Sequence, residues 1–265
     1  VSVSSRTKGR VTVVTIERPE RRNAVDLPTA HALVAAFKAF DADASADVAI
    51  LTGAGGAFCA GADLQALAVG ERKPVEADGM FAPMGPTRLR LFKPVIAAIE
   101  GPAVAGGMEL ALWCDLRIAG RSAIMGIFNR RFGVPLVDLG TIRLPRIIGQ
   151  GRAVELILTG RPVGMDEALR IGLVNELTDD GEALRRATEL AQSLAGFPQE
   201  AMRNDRLSVY EQWDLPEREA IANEIRRGRA TIASGETLSG SQRFAGGAGR
   251  HGVFEGAQTP EKPDE

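Results

Sequence analysis

The sequence predicts an α/β fold followed by a helical C-terminal region. Three observations carry this: short β-branched or wholly apolar runs, helical periodicity between them, and helical patterning that dominates from Thr141 onward. Val11-Thr-Val-Val-Thr-Ile16 reads as the first strand, broken by Pro19 to Asn23. Asp26 stands where a helix cap is needed and Pro28 suits the first turn. Ala30, Leu33, Val34, Phe37 and Phe40 then follow at helical spacing. Val48 to Thr52 is a short apolar run of the kind buried on both faces of a sheet. Gly53 to Gly61 is a glycine- and alanine-rich loop that opens into a short helix over Ala62 to Val69. Gly70 to Pro86 has three prolines and two further glycines and no period, so it reads as a mobile loop. Val95 to Ile99 is another buried strand, closed by the turn at Gly101-Pro102. Gly106-Gly107 opens a short helix, Met108 to Cys114, and Asp115 to Ala119 is the next strand. Gly172 stops a helix before a short strand over Leu173 to Leu177. Two or three long helices occupy Glu182 to Ala233, and Gly246 to Glu265 reads as a loosely held tail. The division expected is a core over 1–195, a helical region over 196–245 and a flexible tail over 246–265.

Composition narrows the function classes. The 265 residues are 45% hydrophobic and 25% charged, ordinary values for a globular protein. Lys plus Arg number 32 against 34 Asp plus Glu, so no global field draws the chain to nucleic acid or to a membrane surface. Cys59 and Cys114 are too few for a disulfide framework and read as small buried fillers. No run of about 18 apolar residues suggests a spanning helix. Val1 to Arg10 is polar and lacks a signal-peptide core, so a cytoplasmic location is expected. His31 lies within an amphipathic helix and His251 in the tail. Two histidines and two cysteines without ligand-like spacing predict no metal site.

Chemistry concentrates in two loops, Ala57 to Leu64 and Gly101 to Leu110. Each follows a buried strand and feeds a helix, so free main-chain amides gather at the positive end of a helix. Small residues let a ligand approach the main chain closely. Two amides converging on one carbonyl oxygen form an oxyanion hole, each worth about 2.7–4 kcal/mol. Glu109 follows the second loop among Met108, Leu110 and Leu112, apolar neighbours that raise a carboxyl pKa toward neutral. Read alone, Glu109 is equally a helix-start carboxylate favoured by the dipole.

Eight blocks stand together: Arg22-Asn-Ala24, Leu51-Thr-Gly-Ala-Gly55, Phe58-Cys-Ala-Gly-Ala-Asp-Leu64, Lys93-Pro-Val-Ile-Ala-Ala98, Gly106-Gly-Met-Glu-Leu110, Cys114-Asp-Leu-Arg117, Arg143-Leu-Pro-Arg146 and Gly172-Leu-Val-Asn175. In order and spacing they resemble the crotonase (enoyl-CoA hydratase/isomerase) family from Ile16 to Glu176, with weaker agreement beyond. The resemblance implies a crotonase-like spiral of β-β-α units, with C-terminal helices that build a homotrimer or a dimer of trimers. It implies an acyl-CoA thioester substrate, with CoA as carrier and no separate cofactor. It puts the oxyanion amides at Ala60 and Gly106, and lines the CoA pocket with Ala60, Gly61, Ala62, Asp63 and Leu64. It makes Glu109 the catalytic acid or base.

One block departs from the family. Its hydratases carry a second glutamate in a Phe-Gly-x-Pro-Glu context. Here the segment is Met125-Gly-Ile-Phe-Asn129, and an ungapped count back from Arg143-Leu144 puts Asn129 in that slot. Asparagine positions a water or a carbonyl but exchanges no proton at neutral pH. Val137-Asp-Leu-Gly-Thr141 resembles the Asp-x-Gly-Thr segment of dienoyl-CoA isomerases, which makes Asp138 a second candidate acid or base. The other reading of Asp138 is a cap on the helix that begins near Leu139. Arg130 and Arg131 either meet a carboxylate on the acyl group or stay on the surface.

Two rivals from other classes are weaker. Val48 to Gly55 suggests a dinucleotide fingerprint, but Phe58 stands where the third glycine belongs. An RNA-binding role on the same fold requires a basic stripe, and the pI of about 5.9 gives it little support. Within acyl-CoA chemistry, hydration, double-bond isomerisation and thioester hydrolysis all use the two loops and stay open.

Overall fold

The computed structural model describes residues 2–71, 75–76, 78–79 and 81–249. Strand β1 (Val3–Lys8) pairs antiparallel with β2 (Val11–Ile16) across the Gly9-Arg10 turn. Its outer half, Ser5 to Lys8, is exposed and polar, as an edge strand needs to be to resist pairing with another chain. Helix α1 (Leu27–Ala42) begins as the sequence predicts: Asp26 caps it by accepting the Thr29 amide at 2.9 Å, and Pro28 sits in the first turn. Its apolar stripe buries Leu33, Phe37 and Phe40.

The strands that follow alternate between two sheets. β3 (Val48–Gly53), β4 (Val95–Ile99), β6 (Leu116–Gly120) and β9 (Glu176–Thr178) extend the large sheet in parallel, in the order β1-β2-β3-β4-β6-β9. The short β5 (Pro102–Val104), β7 (Ile124–Gly126) and β8 (Val163–Gly164) form a second sheet of three. Cys59 joins its edge through a parallel bridge to Ala103. Each step thus lays one strand in the large sheet, one segment in the small sheet, and then a helix. These helices are α2 (Leu64–Ala68) after Cys59 and α3 (Gly106–Trp113) after β5. After β7 a five-residue 3-10 turn over Phe128–Phe132 comes first, then α4 (Gly140–Ile148). This is the β-β-α spiral expected from the resemblance. β4 and β3 from Val48 to Leu51 are apolar because both their faces are covered.

The remaining helices are α5 (Gln150–Thr159), α6 (Met165–Arg170), α7 (Ala183–Ala195), α8 (Gln199–Glu211), α9 (Glu217–Ala233) and α10 (Glu236–Ala245). Val1–Ala191 form one compact unit and the chain from Gln192 a second. Within the second, Glu211 of α8 accepts from Asn223 (2.9 Å) and Arg227 (Nε, 3.1 Å) of α9, which ties the two helices together. The tail expected from Gly246 starts as a turn through Gly249, and its remainder lies outside the described residues, as do parts of the loop expected over Gly70 to Pro86.

Ala105, the hinge between β5 and α3, has φ 52° and ψ −126°, a region L-residues rarely occupy. The twist lets its amide bond Gly126 in the small sheet (2.8 Å) while its carbonyl receives Met108 and Glu109 at the start of the helix. Ala105→Gly relieves this strain and is expected to stabilise the protein by about 1 kcal/mol after the entropy of an added glycine. Thermal melts should show a rise of about 2–4 °C.

Candidate active site

The two glycine-rich loops lie against each other at the mouth of α3. A β-carbon on Gly61 would sit 2.9 Å from the Gly106 amide nitrogen, so glycine at 61 is what permits the approach. The first loop is braced from outside. Asn23 donates its side-chain amide to the Ala54 (2.8 Å) and Ala57 (2.6 Å) carbonyls. Arg18 bonds Asp63 at 2.9 Å, Asp26 at 3.0 Å, and the Ala24 carbonyl.

These contacts decide which amides remain available. The Ala60 amide, expected to face the substrate, donates instead to the Arg22 carbonyl at 3.0 Å. That expectation is corrected by the local pairing. Val25 receives Asp63 (3.0 Å) and donates to Gly61 (2.8 Å), the pattern of a parallel bridge, which turns the Ala62 amide to the opposite side. Ala62 lines the pocket on that side. Gly106 is the first residue of α3, so its amide has no acceptor within the helix.

The pocket holds about 270 Å³ and is lined mainly by Leu64, Leu67, Val75, Met84, Phe128, Phe132, Val134 and Val137. Of the five residues expected to line a CoA site, Ala60, Ala62 and Leu64 are on its wall, and Gly61 and Asp63 are not. The Asp63 carboxylate caps α2 through the Gln65 and Ala66 amides besides pairing with Arg18. Among the described residues, three polar side chains reach the wall: Glu109, Asn129 and Asp138.

Glu109 is 2% exposed. One carboxyl oxygen, Oε1, accepts the amides of Asp138 (3.0 Å) and Gly140 (2.8 Å). Burial and the neighbouring Asp138 charge push its pKa to about 8, and the two amides oppose that rise. Asp138 does not cap α4, because its Oδ1 accepts the Met84 amide (2.9 Å) and the Thr87 hydroxyl (2.6 Å) and so holds the far wall of the pocket. The cap reading is thereby overturned: Leu139, with φ 68°, stands at the cap position and brings no side-chain bond. Asn129 is buried, donates to the Val134 carbonyl at 2.7 Å, and keeps its Oδ1 without a partner. Arg130 and Arg131 are exposed and bond the carbonyls of Ile157 and Gly160, which is the surface alternative. His31 stacks on Phe81, and both cysteines are buried and free. The Val48 to Gly55 segment leads into the braced loop, with no helix before α2.

Among the described residues the Ala62 and Gly106 amides find no acceptor, and they share one apolar pocket with the buried Glu109 carboxyl. The family model for enoyl-CoA hydratase/isomerase matches residues 6–250, and the chain belongs to that family, the crotonases. Enoyl-CoA hydratase EchA19 of Mycobacterium tuberculosis is 36% identical over 247 residues, 90% of this chain and 91% of that protein. The short-chain-enoyl-CoA hydratase of Clostridium acetobutylicum is 39% identical over 198 residues, 71% and 72% of the two chains. The crystal structure of enoyl-CoA hydratase EchA1 from Mycobacterium marinum superposes with a TM-score of 0.87 at 35% identity, covering 97% of this chain and 99% of that one. Among the described residues, no helix is long and apolar enough to cross a membrane.

Proposed function

We propose that the protein binds an enoyl-CoA thioester with its carbonyl oxygen between the amides of Ala62 and Gly106, and that Glu109 moves a proton on the resulting enolate. The observation that carries this reading is one titratable carboxyl, with one oxygen anchored, opening on the same pocket as two unpartnered amides. A single carboxyl suffices for double-bond migration. The Glu109 carboxylate takes a proton from C2 of a 3-enoyl thioester, and the electron pair delocalises onto the carbonyl oxygen held by the amides. The same carboxyl then returns the proton to C4, leaving the 2-enoyl thioester. Asn129 in the second carboxylate slot and the engaged Asp138 favour this reaction.

Hydration is the second reading. The names of the relatives favour it, and the unpartnered Asn129 Oδ1 is an acceptor for a water. Purified protein with 3-hexenoyl-CoA is expected to yield the conjugated isomer, read by absorbance, with no mass gain. Water gained on crotonyl-CoA instead, by mass spectrometry, would establish the second reading. Turnover of neither substrate would sink both.

The apolar lining fits a hydrocarbon acyl chain, and no organic cofactor is required beyond the CoA of the substrate. We also propose the homotrimer or dimer of trimers expected from the resemblance. Val209, Trp213, Ile221, Ile225, Ile232, Leu238 and Phe244 are exposed along α8 to α10, and this apolar surface supports such an assembly.

A further inference from the structure

We propose that Gly140 is a positioning residue for Glu109: its bare α-carbon makes the space in which the start of α4 grips one carboxyl oxygen and leaves the other to exchange the proton. The inference rests on the acid–base role of Glu109 given above and goes beyond it.

Three independent features of the structure point to Gly140. A β-carbon at position 140 would lie 2.7 Å from Oε1 of Glu109, 2.9 Å from its Cγ and 3.0 Å from its Cδ. Every one of those atoms belongs to the Glu109 side chain, so room for a β-carbon comes only from moving the carboxyl off the place where α4 holds it. Gly140 has an ordinary backbone, since it is absent from the residues with positive φ, so chain conformation does not require glycine there. Its lack of a side chain serves Glu109.

The second feature is the helix itself. α4 has no cap of its own, because Leu139 occupies the cap position in the left-handed region and offers no acceptor. The acceptor comes from another helix: Glu109 of α3 receives the amides of Asp138 and Gly140 through the same oxygen, Oε1. A helix start stabilises negative charge on the group that caps it, and it fixes that group in direction. With Oε1 held at 2.8 and 3.0 Å, rotation of the carboxyl is blocked, and Oε2 is the oxygen left to carry a proton.

The third feature is opposition. Burial and the Asp138 side chain beside the same carboxyl raise its pKa, while the Gly140 and Asp138 amides and the Arg143 charge lower it. Gly140 therefore only lowers it, while Asp138 lowers it through its amide and raises it through its side-chain charge. What Gly140 adds beyond its amide is its emptiness, and what Asp138 adds beyond its amide is its charge.

The test uses the full-length chain in Gly140→Ala, Asp138→Asn and Glu109→Ala backgrounds. Gly140→Ala is expected to lower kcat about 100-fold through misplacement of the carboxyl, with KM little changed. The rise of kcat/KM with pH, set in the parent by Glu109 near pH 8, is expected to move upward in Gly140→Ala as the amide bond is lost. Asp138→Asn keeps an oxygen for Met84 and Thr87 but removes the charge, so the same rise is expected to move downward. A purely structural role for Gly140 predicts lower activity with an unmoved pH profile, and that result overturns the proposal.

Stability gives a readout that survives loss of activity. Because the conflict is with the Glu109 side chain, Gly140→Ala is expected to lower Tm in the parent and to be nearly silent in Glu109→Ala. An equal Tm loss in both backgrounds, including failure of both to fold, overturns the proposal. An active Glu109→Ala protein would instead defeat the reading on which it rests.

Discussion

Glu109→Gln is expected to reduce turnover by about 10³-fold, within the 10²–10⁴ range of a positioned acid–base group, while substrate binding changes little. Glutamine keeps an oxygen for the amides of Asp138 and Gly140, so the fold around the site is preserved and only proton exchange is lost. The same variant is expected to be more stable than the parent at alkaline pH. The carboxyl titrates at 4.5 in an unfolded chain and at about 8 in the folded one. Between those values the native state holds a proton that the unfolded state has released. Parent stability therefore falls as pH rises through that window, and the variant, which has no proton to lose, does not follow it. Melts should coincide below pH 4.5 and separate progressively up to about pH 8, with an upper bound on the order of 5 kcal/mol. Equal turnover of the two proteins, or parallel melts at every pH, would contradict the assignment of Glu109.

Gly107→Ala is expected to cost about 3 kcal/mol of stability, at the upper end of overpacking, and to lower Tm by about 6–12 °C. A β-carbon there would overlap the Cys59 carbonyl oxygen and lie 2.7 Å from the Cys59 carbonyl carbon and 2.9 Å from its Cβ. Cys59 is not free to yield. Its amide bonds the Pro102 carbonyl at 3.0 Å and its carbonyl accepts the Val104 amide at 3.1 Å, which locks the first loop to β5. Making room separates the segments that carry Ala62 and Gly106, so the folded fraction should also turn over about 10²-fold more slowly. Gly106 offers a contrast: its nearest neighbour is the Met84 side chain, with Sδ 2.6 Å from a built β-carbon, and a methionine can swing aside. A Gly107→Ala protein that melts and turns over like the parent would refute this account of the loops.

Much of this was open to reading from the chain because local chemistry and tertiary structure agree. The Asp26 cap, the Val95 to Ile99 strand and the helix carrying Glu109 each combine propensity, period and turn residues that point one way. β1 was missed because Ser4, Ser5, Arg6, Thr7 and Lys8 show water the polar face of an edge strand, and no apolar alternation remains to mark it. The small sheet was missed because two or three residues, as in β5 and β8, are too short to show a period. At the site, the resemblance marks Glu109 and Gly106, and the structure puts both on the pocket wall. The expectation of Ala60 fails because the direction of an amide depends on a partner segment, here Arg22 to Val25, that no spacing within the loop reports. Asp138 was legible as a nearby acid, but its engagement with Met84 and Thr87 depends on a segment more than fifty residues earlier in the chain.

The donors proposed at Ala62 and Gly106 are main-chain groups, and that proposal has a consequence for how such a site can change over generations. A donor borne by a side chain is deleted by one substitution. A donor borne by the peptide bond persists through every replacement that leaves the turn intact, so it is inherited as a shape rather than as a letter. Residues around the pocket can then be exchanged for a different acyl group while polarisation of the thioester carries on unaltered. The few positions that forbid a β-carbon, among them Gly61 and Gly107, are where that freedom ends.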